Sequence, residues 1–502
     1  MRPHDVPWRE TLATVLSKLL RTPVSAAEAA SSLALLDARH FLALDQAMRP
    51  GFWTPNPFNR LPLITAGEPR EDIEACFFAA GCTARGFVRE SALAALAPYP
   101  GRLATALALI RCDDWVPQVE ARAQGLLQAQ IALHPDTLFG LLDLIAALRA
   151  RERFGRRTWP QIVQPQLLRA DLAEARRHAS HGGSASSRLF AYRLMTEADS
   201  PERVSAAREH AIRDPDPVIA RWALDDTQGA STPNAALLAQ GLRHPHASVR
   251  AQALRRYAEY QPTDLPERIR QALFDPARSP RNVAAYLLRA REGSDPRTLW
   301  RRALDADGAD DCPAGSDLRL RRRTALTALS ECAEAQDAER MRGWLAHPSG
   351  KVRAIALCGY ARSGADDLAI RLTGALRDPS TRVVREAIAR GAGIAAVLTT
   401  ETLDAARREA PNAAVRAHLT DAARLLGKWQ ALDLLLAWRI DAKAADAEAI
   451  DIGIGHWLAS ANRKYARLDG DTRTRLETRF AAAAAALNAT HRSGIAQTLR
   501  FA

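Results

Sequence analysis

HPSGKVRAIALCGYARSGADDLAIRLTGALRDP, residues 347–379, contains one structural unit and the opening of the next. Pro348 and Pro379 lie 31 residues apart, and each is followed four positions later by a valine, Val352 and Val383. A fixed period of this length signals stacked helical hairpins. The His/Asp-Pro dipeptide turns the chain, and the fixed φ of proline suits the first turn of a helix. A first helix is therefore predicted from near Ser349, with Val352, Ile355, Ala356 and Tyr360 on one apolar stripe. Gly364 closes it. A second stripe, Leu368, Leu372, Ala375 and Leu376, ends at Asp378-Pro379, where the next turn begins. Neither helix can remove its stripe from water alone, so each hairpin depends on its neighbours.

The same offset from proline to an apolar residue recurs at Pro215/Ile219, Pro245/Val249 and Pro411/Val415. Pro276 keeps the period, but Pro280 occupies the apolar position and Val283 arrives late, so DPARSPRNVAAYLL is read as a repeat with a lengthened turn. The 72 residues between Pro276 and Pro348 hold two repeats and an insertion, GADDCPAGSD, at 308–317. Val88 and Val119, again 31 apart, place weaker copies in the N-terminal half. Residues 124–213 are less regular but still read as amphipathic helices, with the small, polar segment 178–187 as a candidate internal joint. The expected organisation is an N-terminal helical cap with an aromatic loop over 1–69, a repeat body over 70–440 and a C-terminal helical cap over 441–502.

VRAIALCGYARSG followed by ADDLAIRLTGALRDP resembles the short HEAT repeat typified by phycobilisome-lyase-type HEAT proteins. The strong matches cover roughly 210–260 and 340–440, with partial ones over 70–130. The resemblance implies an all-α fold, an α-solenoid of HEAT/armadillo type in which helical hairpins stack into a right-handed superhelix. Most relatives of this kind act by binding another macromolecule, and some are lyases or DNA glycosylases. The pattern is broken at Glu120, Ala220 and Val384, where the arginine after the apolar position is missing, although Arg385 is a possible substitute for the last. The fold is carried over and a reaction is not.

Composition fits a helical chain, with 6% aromatic residues. Length alone suggests several domains, but a solenoid lengthens without enlarging one core. MRPHDVPWRETLATVL lacks the apolar core of a secretory signal, and the most apolar stretch, Leu138 to Leu148, is too short to span a bilayer and contains Asp143. A cytoplasmic location is expected. Six cysteines are scattered without CxxC pairing, so reduced thiols are expected rather than zinc or a disulfide framework. The net charge of +12 is compatible with phosphate backbones. Yet only five of the 69 basic residues are lysines, and an arginine bias with abundant alanine also follows from a GC-rich coding sequence.

Local features carry the candidate sites. Arg149, Arg151, Arg153, Arg156 and Arg157 form one cluster, and Arg319, Arg321, Arg322 and Arg323 another. Each is either a solvated helix face paired with neighbouring acids or a phosphate-binding surface. The repeat arginines Arg89, Arg250, Arg353 and Arg416 are expected to pair with the aspartates that open neighbouring turns, such as Asp378, in an inter-repeat ladder. Trp222, Trp344, Trp429 and Trp438 fall within helical periodicity as core residues. Phe52, Trp53 and Phe58 lie in a proline-broken loop that either caps the first repeat or contacts a partner. Trp457, Arg463, Lys464 and Tyr465 are open to the same two readings. Asp113 and Asp114 beside Trp115 suggest a glycosylase-like carboxylate, but Asp114 also falls where other repeats place a turn Asp or His. There is no Gly-rich phosphate loop, HExxH or nucleophile elbow, and no cofactor or metal is expected. The expected function is a noncatalytic scaffold or adaptor holding a protein partner along a curved surface. The alternative is a nucleic-acid-binding HEAT protein, glycosylase-like in its activity, that uses the arginine clusters.

Overall fold

The computed structural model describes residues 36–49, 69–225, 234–305, 317–461, 463 and 466–501, with Ala27, Ala30 and Leu33 as isolated helical positions. Among the described residues every regular element is helical, so the fold is all-α. The chain divides into two compact units, Met1–Tyr260 and Gln261–Ala502. Gln261 has a φ of 48°, the one left-handed residue other than glycine among those described.

The first unit contains α1 (Arg70–Gly81), α2 (Gly86–Leu96), α3 (Arg102–Arg111) and α4 (Pro117–Leu133), and later α5 (Ala185–Ala198), α6 (Pro201–Ala211), α7 (Pro217–Ala223), α8 (Ala235–Leu242) and α9 (Ala247–Glu259). Helix α1 packs on α3 and α2 on α4, as successive hairpins in a stack must. Val88 and Val119, which carry the 31-residue step here, are buried. Between α4 and α5 the helices are short. Leu142–Arg149 is followed by Phe154–Val163, a π-helical segment that contains Pro160. A Cβ on Gly155 would sit 2.5 Å from the Arg149 carbonyl oxygen, so this close return of the backbone requires glycine. The segment 178–187 is a capped turn: Gly183 has a φ of +75°, and the Ser184 hydroxyl accepts the Ser187 N–H and donates to Asp143.

The second unit contains α10 (Leu265–Ala272), α11 (Arg278–Glu292), α12 (Pro296–Asp305), α13 (Asp317–Ser330), α14 (Ala338–Trp344), α15 (Gly350–Ser363), α16 (Leu368–Ala375), α17 (Thr381–Gly391), α18 (Thr400–Glu409), α19 (Ala413–Ala422), α20 (Lys428–Ile440), α21 (Ala444–Ala461), α22 (Gly470–Ala483) and α23 (Ala489–Arg500). Helix α15 starts beside its Ser349 cap and ends at Gly364, whose φ of 71° supplies the left-handed C-cap. Its Val352, Ala356 and Tyr360 are buried together with Leu372 and Leu376 of the next segment. Each of these valine and leucine side chains contributes about 1.5–3 kcal/mol when removed from water, which exceeds what helix propensity alone supplies. The first helices α15, α17, α19 and α21 pack one against the next, which makes this unit an α-solenoid of HEAT-like hairpins.

One expected detail is corrected. The Pro276 repeat has no lengthened turn, because α11 begins two residues after Pro276 just as α15 begins two after Pro348. Pro280 is buried at the valine position. It lies in the first turn of α11, where a backbone N–H has no intrahelical acceptor, so proline costs no hydrogen bond there. The 308–316 part of the expected insertion lies outside the described residues. The four helices α11 to α14 account for the two repeats expected between Pro276 and Pro348; α12 packs closely on α13 across this segment, whereas α11 and α12 meet only weakly. Beyond residue 440 four-helix packing continues, with α21 on α19 and α22 on α20.

Candidate protein-binding face

The repeat arginines are used to build the stack. The Nε and Nη2 atoms of Arg353 donate to the two carboxylate oxygens of Asp378 at 2.8 and 2.7 Å, while Nη1 donates to the carbonyls of His347 and Pro348 at 2.8 and 2.9 Å. One guanidinium thus ties its own turn to the turn that opens the next hairpin. Arg89 repeats this arrangement with Asp114 at 2.8 Å and with the carbonyls of Thr83 and Ala84. Arg416 reaches Asp446 at 2.9 and 3.0 Å. Arg250 donates to the carbonyls of His244 and Pro245. The turn aspartate also accepts the N–H two residues on, from Val116 at Asp114 and from Ser380 at Asp378. Where the arginine is absent, so is the aspartate. Ala220 is followed by a turn opening at His244, and Val384 by one opening at Ala410. Nδ1 of His244 accepts the His246 N–H, which preserves the turn without an ion pair. Arg385 does not replace the missing rung at Val384; it is exposed.

Three rungs escape a search from proline to valine, the first being buried Arg281, which donates to the carbonyls of Asp275 and Pro276 and pairs with Glu331 at 3.0 Å. Arg188 makes a bidentate pair with Asp214 at 2.8 Å, and Arg176, fully buried, pairs with Asp199 at 2.5 Å. Neither arginine follows a Pro-x-x-x-apolar signature, but Asp214-Pro215 comes 26 residues after Arg188, and that spacing is the signal available in the sequence. Asp113 and Asp114 are likewise structural. Besides Arg89, Asp114 accepts from Arg111, and the net effect of these partners, against the burial that opposes ionisation, holds its carboxyl below the usual range. Asp113 pairs with Arg151 at 3.2 Å and accepts the Phe154 N–H.

The arginine clusters are largely occupied within their own units. Arg149 lies 4.7 Å over the Trp159 ring, Arg156 pairs with Glu152 at 3.0 Å and Arg157 with Glu120 at 3.6 Å. Arg321 lies 4.1 Å over Phe274; Arg322 lies over Trp344 and donates to the Leu304 carbonyl. Arg319 is exposed on the same helix. Arg153 and Arg323 are exposed without an ion pair among the described residues. Phe52, Trp53 and Phe58 lie outside the described residues, as do Lys464 and Tyr465. Trp429 and Trp438 are buried; Trp222 and Trp344 are half-buried. Trp457 is buried and donates from Nε1 to the Lys428 carbonyl at 2.7 Å, which makes it a packing residue. The five described cysteines form no disulfide, and burial pushes the Cys82 thiol up to about 12.

What remains outside this internal bonding is a groove across α15, α17 and α19. Its volume is about 900 Å³. Ala354 and Ile355 of α15, Ile388 and Ala389 of α17, and Leu425 beyond α19 supply apolar surface. Lys351, Arg382 and Arg385 line its other end, exposed and without a carboxylate partner among the described residues. The acids of the groove are already engaged, Glu386 by Arg390 at 2.7 Å and Asp421 by Arg424 at 3.1 Å. Sequence inspection passes over these three cations because they form no run in the chain and occupy solvent-facing positions on two different helices. In this unit the first helices pack closely on one another while the second helices α16, α18 and α20 touch only weakly. The groove lies on the layer formed by these first helices.

No protein-family profile matches the chain, and no curated protein does. Among solved structures it is similar to a crystal structure of importin beta in an ammonium sulfate condition, with a TM-score of 0.35 and 12% identity over 97% of this chain and 68% of that one. The fold assignment rests on this chain's own hairpins and their packing.

Proposed function

We propose that this protein is a noncatalytic repeat scaffold that holds a protein partner against the face formed by its first helices. The observation that carries the reading is the groove over α15, α17 and α19, where apolar surface stands beside three cations that have no carboxylate partner among the described residues, while many other arginines of the chain are committed to internal pairs. Solenoids bind through extended faces of this kind, and a patch with an apolar centre and a charged edge has the anatomy of a protein interface. A photo-crosslinking residue at Ala389, in the groove, should yield a discrete adduct in the native cell that the same residue at Ile370 does not. Ile370 is a suitable control because it is 75% exposed on the second helix α16. Identical adducts from the two sites, or none from Ala389, would refute the reading.

A nucleic-acid reading draws on the net charge of +12. Stacking and ion pairs within the arginine clusters reduce the charge free for phosphates. Retention of duplex or single-stranded DNA at about 50 mM salt, lost steeply at about 200 mM, is the behaviour that reading requires.

A further inference from the structure

The groove's chemistry narrows the partner, and this step rests on the scaffold reading. We propose that the occupant is an acidic amphipathic helix of another protein, laid with its apolar face on Ile355, Ile388 and Leu425 and its carboxylates on Lys351, Arg382 and Arg385. Three features point to it. The first is charge. These three cations have no carboxylate partner among the described residues, whereas the two acids of the groove are each bound by an arginine of the chain itself. An incoming carboxylate therefore meets available donors, and an incoming cation meets repulsion.

The second is backbone chemistry. The groove walls are helices whose N–H and C=O groups bond within their own turns, so the floor offers side chains and no free ladder. An extended segment placed there would bury peptide groups without partners, at a cost of roughly 1–3 kcal/mol for each. A helix brings its backbone bonds with it and presents side chains alone, the helix-in-groove mode of recognition. The third is size. Three packed helices at about 8–10 Å between axes set a span of roughly 20 Å, which at about 1.5 Å per residue accommodates some 13–14 helical residues. The same lining argues against single-stranded nucleic acid, because its one aromatic ring, His418, is half-buried and it offers no Trp, Tyr or Phe on which successive bases can stack.

The test uses the full chain and a fluorescent 16-residue peptide with leucines at i, i+3, i+4 and i+7 spacing and glutamates on its flanks. Its controls are a scrambled peptide of the same composition, the same helix with lysine for glutamate, and a dT oligonucleotide. Fluorescence anisotropy should show the acidic helix binding at least about tenfold more tightly than each control. The K351E/R382E/R385E variant should lose about tenfold or more of that affinity, a reasonable loss for reversal of three interfacial charges. These residues are exposed, so its thermal unfolding should match the parent. Equal binding of the acidic and scrambled peptides, tighter binding of the oligonucleotide, or an unchanged affinity in the triple variant would overturn the proposal. Its failure is separable from failure of the scaffold reading. If the Ala389 adduct persists while the peptide does not discriminate, the groove holds a protein of other chemistry; if the Ala389 adduct is absent, the scaffold reading itself falls.

Discussion

Replacing Arg353 with alanine should loosen the stack locally and measurably. The substitution deletes two hydrogen bonds to Asp378 and two to the carbonyls of its own turn. Both side chains of the pair are 14% exposed, so water screens them only partly. Breaking a buried ion pair costs about 3–5 kcal/mol, whereas an exposed pair is worth about 0–1. Asp378 keeps the Ser380 N–H as a donor at 2.7 Å, which places the expected loss between those limits, at about 2–4 kcal/mol. Because cooperativity weakens along repeat arrays, a single global unfolding energy is the wrong readout. Hydrogen exchange resolved by peptide is the right one. Protection over residues 350–391 should fall by about 30- to 700-fold, since about 1.4 kcal/mol corresponds to tenfold. Exchange over residues 86–133, in the other unit, should not change. In a double-mutant cycle with Asp378→Ala the coupling should be about 1.5–3 kcal/mol. A coupling below about 0.5 kcal/mol, or unchanged exchange over 350–391, would refute the claim that these arginines hold repeats together.

Asp143 offers a test with a definite sign in pH. Burial holds its carboxyl above the usual range, opposed by the Ser184 hydroxyl and reinforced by the charge of Asp37. An acid of raised native pKa destabilises the fold when pH exceeds that value and costs nothing below the unfolded value of about 3.9. Asp143→Asn should therefore raise the melting temperature at pH 7 and leave it unchanged at pH 3. Glycines should divide by their surroundings. A Cβ on Gly359 would meet the Met341 sulfur at 2.6 Å and the Ser330 Cα at 3.0 Å, so Gly359→Ala should cost about 1–3 kcal/mol in thermal unfolding. Gly374 has no such neighbour within 4 Å, and Gly374→Ala should gain about 0.4–1 kcal/mol.

The hairpin and its ladder were legible in sequence because both are periodic. Pro348, Val352, Gly364 and Asp378 each perform a local task, turning, burying, capping or pairing, and the turn and the buried valine are repeated 31 residues on at Pro379 and Val383. The Pro276 repeat was misread for a local reason: proline at the valine position looks like a displaced turn until the helix start shows that its missing N–H lies in the first turn. The groove was harder to see. Lys351 and Arg382 also stand 31 residues apart, at one position of the repeat, but they and Arg385 meet the apolar residues of the groove only when α15 and α17 lie side by side. Arg149 to Arg157 misled in turn because adjacency along the chain is not convergence in space. The short helices there send these side chains to Trp159, Asp113, Glu152 and Glu120, each a separate destination.

Arginine is matched by an acid, an aspartate at Arg89, Arg353 and Arg416 and Glu331 at Arg281, and both are absent at the His244 and Ala410 turns, so these junctions between hairpins are either charged or neutral. A hairpin ending in an arginine junction accepts a successor that supplies the acid; set against a His244-type or Ala410-type turn, it would bury a cation with nothing to neutralise it. Shuffling, duplication or slippage of repeats is therefore not free. Only rearrangements that join like junctions keep every guanidinium satisfied, so the order of hairpins is written into the chain by electrostatics as well as by the covalent backbone.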